Sequence, residues 1–93
     1  MPRLSEAEIA EHLAQRPDWS LEHNEIVRTF RLANFPAAIA FVTHVAFLAE
    51  AAGHHPDIDI RYNRVRLALT THDAGGLTEK DFALAAAIDE ILG

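Results

Sequence analysis

The chain has 93 residues, 49% apolar, with 8 basic against 14 acidic side chains and a formal net charge of −6. So short a chain supports one hydrophobic core and one domain, taken as residues 1–93, and buries only about 60–65% of its unfolded surface, which makes self-association an expected way to hide the rest. The absence of cysteine excludes a disulfide framework and a thiolate metal site and fits a cytoplasm; the negative balance without a basic run argues against nucleic acid; and no stretch reads as ~18 uninterrupted apolar residues, nor MPRLSEAEIA as a secretion signal, so no membrane is expected.

In chain order, Ser5-Glu6-Ala7-Glu8 reads as a capping box opening a helix from Ser5 to Gln15, which Arg16-Pro17 stops. Trp19 to Leu32 reads as a β-hairpin turning at His23-Asn24, with Ile26, Phe30 and Leu32 on one parity and Arg28 the exception. Asn34-Phe35-Pro36 caps and starts a long helix that runs to Ala52. Its stripe is Ala38, Phe41, Val42, Val45, Leu48, Ala49 and Ala52, while Ile39, Ala46 and Phe47 lie off it. A helix apolar nearly all round is covered on more than one side, here by a sheet and by a second subunit. Gly53 and Pro56 end it. Ile58, Ile60 and Tyr62 alternate with polar residues as a strand whose apolar side makes Tyr62 a core residue; Asn63 marks a turn, and a second strand runs from Val65 to Thr71. After Ala74-Gly75-Gly76, Thr78-Glu79-Lys80-Asp81 opens a last helix with Leu84, Ile88 and Ile91 facing inward. The order α-β-β-α-β-β-α predicts an α+β two-layer sandwich: a four-stranded antiparallel sheet with helices packed on one face.

Three of six histidines stand at element junctions, His54 and His55 after the long helix and His72 after the last strand. Were the junctions to meet, the imidazoles would converge with Glu50, Asp73 and Asp81 as a set able to give and take protons near neutral pH. Each residue also has a plainer reading: Gly53-His54-His55-Pro56 as a helix stop, Asp81 as a helix cap, Glu50 as a solvated side chain. His12, His23 and His44 have no second feature beside them and read as surface or interface. A divalent metal on histidines and a carboxylate lacks any recognised ligand spacing, so no metal is assigned; nucleophilic catalysis has no cysteine, and Gly75-Gly76 lacks the lysine of a phosphate loop.

Three blocks together go further. Glu50-Ala-Ala-Gly-His54-His55-Pro56, then Tyr62-Asn63-x-Val65, then Leu69-Thr-Thr71-His72-Asp73-x-x-Gly76-Leu77-Thr78-x-x-Asp81 closely resemble the pterin-4a-carbinolamine dehydratase family over essentially the whole chain. The resemblance implies dehydration of 4a-hydroxytetrahydropterin to quinonoid dihydropterin, in the recycling of the pterin used by an aromatic amino acid hydroxylase. It implies His54, His55 and His72 as the acid–base set. Gly53, Thr70, Thr71 and Asp73 would border the pterin, with Glu50 and Asp81 orienting the imidazoles. The pterin is then the substrate, and no further cofactor is needed. The resemblance also implies a homodimer or homotetramer, and it brings a second possibility, since some members act as dimerisation cofactors of a homeodomain transcription factor: a non-catalytic assembly partner using the apolar helix 36–52. The chain departs from the family pattern at Gly53, where many relatives are acidic, and at Ile58-Asp59, where many have an aromatic pair.

Overall fold

The structure, a computed structural model, describes residues 2–92. The elements are α1 (Glu6–Ala14), β1 (Ser20–Glu22), β2 (Glu25–Arg31), α2 (Phe35–Ala52), β3 (Asp57–Arg61), β4 (Arg64–Leu69) and α3 (Glu79–Asp89), with 3₁₀ turns at His72–Ala74 and Glu90–Leu92. The sheet order is β1-β2-β4-β3, with every neighbouring pair antiparallel. Both hairpins have two-residue loops, and the long central pair β2–β4 joins them. This is the α+β arrangement expected from the sequence.

Local chemistry accounts for the boundaries. Ser5 caps α1 through its hydroxyl and Glu8 reciprocates, so both halves of the capping box form. Asn34 caps α2 by accepting from Ala37 N–H at 2.9 Å, and Pro36 sits in the first turn, where no hydrogen bond is lost. Gly53 ends α2 in the left-handed region at φ 62°. Along β2 the inward positions Ile26 and Phe30 are sealed, and Val65, Leu67 and Leu69 of β4 lie on the same side. Ala38, Phe41, Val45 and Ala49 of α2 and Phe82, Leu84, Ala85 and Ile88 of α3 close over them.

Arg28, the polar interruption on the inward side of β2, lies across the Phe30 ring at 4.2 Å and donates to Asp89 of α3 at 2.7 Å. The Asp89 carboxylate also accepts from the Trp19 indole N–H at 2.9 Å and from Arg16 at 3.3 Å. One carboxylate therefore ties the α1–β1 connection, β2 and α3 together.

Two expectations need correction. Tyr62 is not a core residue: it is the first residue of the β3–β4 turn, at φ 54° and 70% exposed. The turn overrides strand parity because Asn63 locks it, its carbonyl accepting from the Leu32 N–H at 2.8 Å and its side-chain amide donating to the Leu32 carbonyl at 3.0 Å. The second strand of that hairpin stops at Leu69, and Thr71 makes only an isolated bridge to Gly76. Helix α2 is long and apolar enough to cross a membrane, with mean hydropathy 1.6 over its 18 residues. Thr43, His44 and Glu50 interrupt its apolar run, so the expectation that no ~18 uninterrupted apolar residues occur holds; one stripe of α2 is core, while Phe47 and Ile39 are exposed. His12, expected at the surface or an interface, is half-buried within the chain: it stacks on Phe82 at 4.6 Å and pairs with Glu79 at 3.1 Å, fastening α1 to α3.

Candidate active site

The site forms where the end of α2, the loop after β4 and the start of α3 meet. Left-handed Gly53 turns the chain out of α2, and the His54 N–H closes on the Ala49 carbonyl at 3.0 Å, which aims the His54 ring at α3. There its Nε2 lies 2.5 Å from Oδ1 of Asp81, whose side chain is fully buried. Asp81 is also the reciprocating residue of the α3 capping box, its Oδ2 accepting from the Thr78 N–H at 2.9 Å. The same Oδ2 accepts from the Thr71 hydroxyl at 2.8 Å. Since Thr71 immediately precedes His72, one buried carboxylate holds both the His54 ring and the root of the His72 loop.

The loop itself is tightly built. Thr71 and Gly76 exchange backbone hydrogen bonds, and His72–Ala74 makes a 3₁₀ turn closed by Gly75 at φ 73°. His72 and Asp73 are exposed on that turn. Thr70, just before it, donates its hydroxyl to the Asn24 carbonyl at 2.7 Å, anchoring the loop to the β1–β2 turn. The hydroxyls of Thr70 and Thr71 thus have partners within the protein.

His55 behaves differently from its neighbour. Its Nε2 meets Glu50 Oε1 at 2.9 Å, but both side chains are largely exposed, at 67% and 80%. Glu50 sits near the end of α2, one helical turn before Gly53, so the pair is local and solvent-screened. His54, by contrast, retains only 11% side-chain exposure. Its Nδ1 has no protein partner, and no buried side-chain N or O atom is left without one among the described residues, so Nδ1 is reached by solvent. His54 also ends an apolar groove of about 320 Å³ between α2 and α3, walled by Leu48, Ala52, Leu84 and Ala87. Among the described residues no three His, Asp or Glu side chains converge on a point where an ion would be held.

The sequence reading placed Asp81 beside the imidazoles but saw Thr78 only as a cap. The signal for Thr78 was its place opposite Thr71 across the His72 loop, which no local pattern reports.

The arrangement joins the loop after α2 to the His72 loop through one buried carboxylate, which bonds the His54 ring on one oxygen and the hydroxyl of the residue before His72 on the other. A profile of the family described as Pterin 4 alpha carbinolamine dehydratase matches residues 2–91. The chain belongs to this family. It is 97% identical over 93 residues to a protein of Chloroflexus aurantiacus, covering all of both chains, and 67% identical over 90 residues to one of Roseiflexus sp., covering 97% of each. Each of these carries the name "Putative pterin-4-alpha-carbinolamine dehydratase". A crystal structure described as a transcriptional coactivator/pterin dehydratase from Brucella melitensis superposes with TM-score 0.93 at 35% identity, covering 98% of this chain and 99% of that one. A pterin dehydratase-like protein identified as a RuBisCO assembly factor in the alpha-carboxysome is more distant, with TM-score 0.66 at 25% identity over 81% of this chain and 87% of the other. Proteins similar to this chain in fold therefore carry more than one described role.

Proposed function

We propose that the chain dehydrates 4a-hydroxytetrahydropterin to quinonoid dihydropterin by histidine acid–base catalysis. In this reaction the C4a–O bond breaks with its electron pair, and a proton delivered to that oxygen makes water. The N5 proton is removed, and the electrons left on N5 form the C4a=N5 bond. One proton enters and one leaves, so two imidazoles facing a flat heterocycle suffice, with no covalent intermediate and no cofactor beyond the substrate. His54, His55 and His72 are the acid–base set. Asp81 orients His54, Glu50 steadies His55, and Gly53, Asp73 and the backbone of Thr70 and Thr71 border the ring. The observation that carries the reading is the shared carboxylate: Asp81 bonds His54 on one oxygen and the residue before His72 on the other. On this reading the chain works in a cytoplasm beside an aromatic amino acid hydroxylase.

The direct test follows dehydration of freshly generated 4a-hydroxytetrahydropterin by absorbance. We expect the native chain to exceed the uncatalysed rate, and His72→Ala to lose on the order of 10²-fold or more while remaining folded. A native chain no faster than buffer would reject the reading.

A second reading has its own support. Phe47 is 73% exposed midway along α2, with Ile39 also open on that helix. A surface of this kind serves assembly, either as a homodimer or homotetramer of the enzyme or as a non-catalytic partner's docking face. Phe47→Glu separates these in sedimentation. An enzyme oligomer falls to the 10.3 kDa monomer, whereas a native chain already monomeric would leave the face to another protein.

A further inference from the structure

Asp81 collects more donors than a helix cap requires, and the hydrogens around it can be counted. The Thr78 N–H points at Oδ2 from 2.9 Å. The Thr71 hydroxyl has one hydrogen and two acceptors in reach, Asp81 Oδ2 at 2.8 Å and Thr78 Oγ1 at 2.9 Å. An ionised carboxylate only accepts, so Thr71 donates to Asp81, and the Thr78 hydroxyl, which accepts from the Lys80 N–H at 3.3 Å, donates in turn to Thr71. The hydroxyl chain runs one way, from Thr78 through Thr71 to Asp81. The last neighbour is His54 Nε2, on Oδ1. A carboxylate that accepts on both oxygens has no hydrogen to give, so the contact at Oδ1 is a hydrogen bond only when Nε2 carries the hydrogen. Nε2 is therefore a donor as well.

We infer that the Thr78–Thr71–Asp81 chain holds His54 as its Nε2–H tautomer, with Nδ1 the nitrogen that handles protons in the cleft, and that Thr71 and Thr78 are positioning residues of the site. Thr71 and Thr78 flank the His72 loop, so their hydroxyl contact also closes the loop at its base. The same two threonines thereby fix the ring orientation of one histidine and the anchorage of another. A threonine at both ends of that loop, with aspartate three residues beyond the second, is what the device demands. The catalytic meaning of the inference rests on the acid–base reading above; the tautomer does not.

The test is ¹⁵N NMR of the histidine rings in the full chain at neutral pH, with His54 assigned by the signals lost in His54→Gln. We expect a protonated Nε2 and an unprotonated Nδ1 for His54, with no averaging between tautomers. Thr71→Val should introduce averaging and lower kcat roughly tenfold with KM little changed, and Thr71→Ser should restore both. Thr78→Val should act in the same direction, with Thr78→Ser as its control. If Thr71→Val lowers only the melting temperature, leaving ring signals and kcat intact, the threonines are merely structural and the inference is overturned. A native chain that dehydrates the pterin while His54 carries its hydrogen on Nδ1, or averages freely, overturns the inference and leaves the function standing. A native Nε2–H signature that responds to Thr71→Val, in a chain without dehydratase activity, upholds the positioning chain and rejects the function.

Discussion

The first and last turns of α3 each present an aspartate to several donors, and the contrast between them separates architecture from chemistry. Asp89 meets two guanidinium groups and an indole N–H. Its charged partners carry their charge at every relevant pH, so the cluster can only pin elements together. Asp81 meets two hydroxyl-bearing threonines and an imidazole, and that imidazole keeps a second nitrogen open to solvent. A largely buried carboxylate becomes part of a proton-handling site when one of its partners can itself gain and lose a proton. On the proposed function, the same helix carries a fastener at one end and the acid–base site at the other.

Isosteric substitution should divide the two. Asp81→Asn removes the charge that orients His54, and the dehydration rate should fall on the order of 10²-fold. Loss of the cap should take only about 1 kcal/mol from stability in urea unfolding. Asp89→Asn should do the reverse. It leaves Arg16 without its counter-charge and Arg28 with only the exposed Asp18 at 3.6 Å, and stability should drop by about 2 kcal/mol, toward the low end for a pair that is only partly buried. That corresponds to roughly 8–16 °C in melting temperature for a domain of this size, with the rate per folded molecule unchanged. A large rate loss in Asp89→Asn, or none in Asp81→Asn, would erase the distinction.

Smaller effects sharpen it. Ser5→Ala breaks the α1 capping box, for about 1 kcal/mol. The Glu8 carboxyl lies below its ordinary range, chiefly because the Ser5 backbone N–H and then its hydroxyl bond the charged form. A lowered carboxyl contributes stability that is present above the ordinary carboxylate range and lost as pH falls through it. The difference between native and Ser5→Ala chains should accordingly narrow under acid titration. Least of all, Glu50→Gln should change the rate less than about threefold, because the His55–Glu50 pair is open to solvent.

How much of this was legible in the chain follows from the range of the forces involved. Capping boxes, the Asn34-Phe35-Pro36 start and the Gly53 stop act within a few residues, and each stands where the sequence put it. Most of the inward stripe of α2 was equally readable, because helical spacing alone places Ala38, Phe41, Val45 and Ala49 together with the partly buried Val42 and Leu48, while Ala52 at the helix end is exposed. Tyr62 was misread because parity says nothing of where a strand stops, and the Asn63–Leu32 bonds that set the turn span 31 residues. Arg28 gave a signal as the charged residue on an apolar parity, but its partner Asp89 lies 61 residues on. The candidate site divides in the same way. The histidines and Asp81 stand out by residue type and junction, whereas the Thr71–Thr78–Asp81 connection depends on β4 and α3 being brought side by side.

The most direct test of the account is a double-mutant cycle on dehydration with His54→Ala and His72→Ala. Acting on one substrate in a common cleft, the two changes should each lose on the order of 10²-fold or more, and together far less than the product of the separate losses, because groups working as a unit are not additive. Losses that simply multiply, or a full rate retained by either single variant, would show that the two imidazoles do not share the reaction.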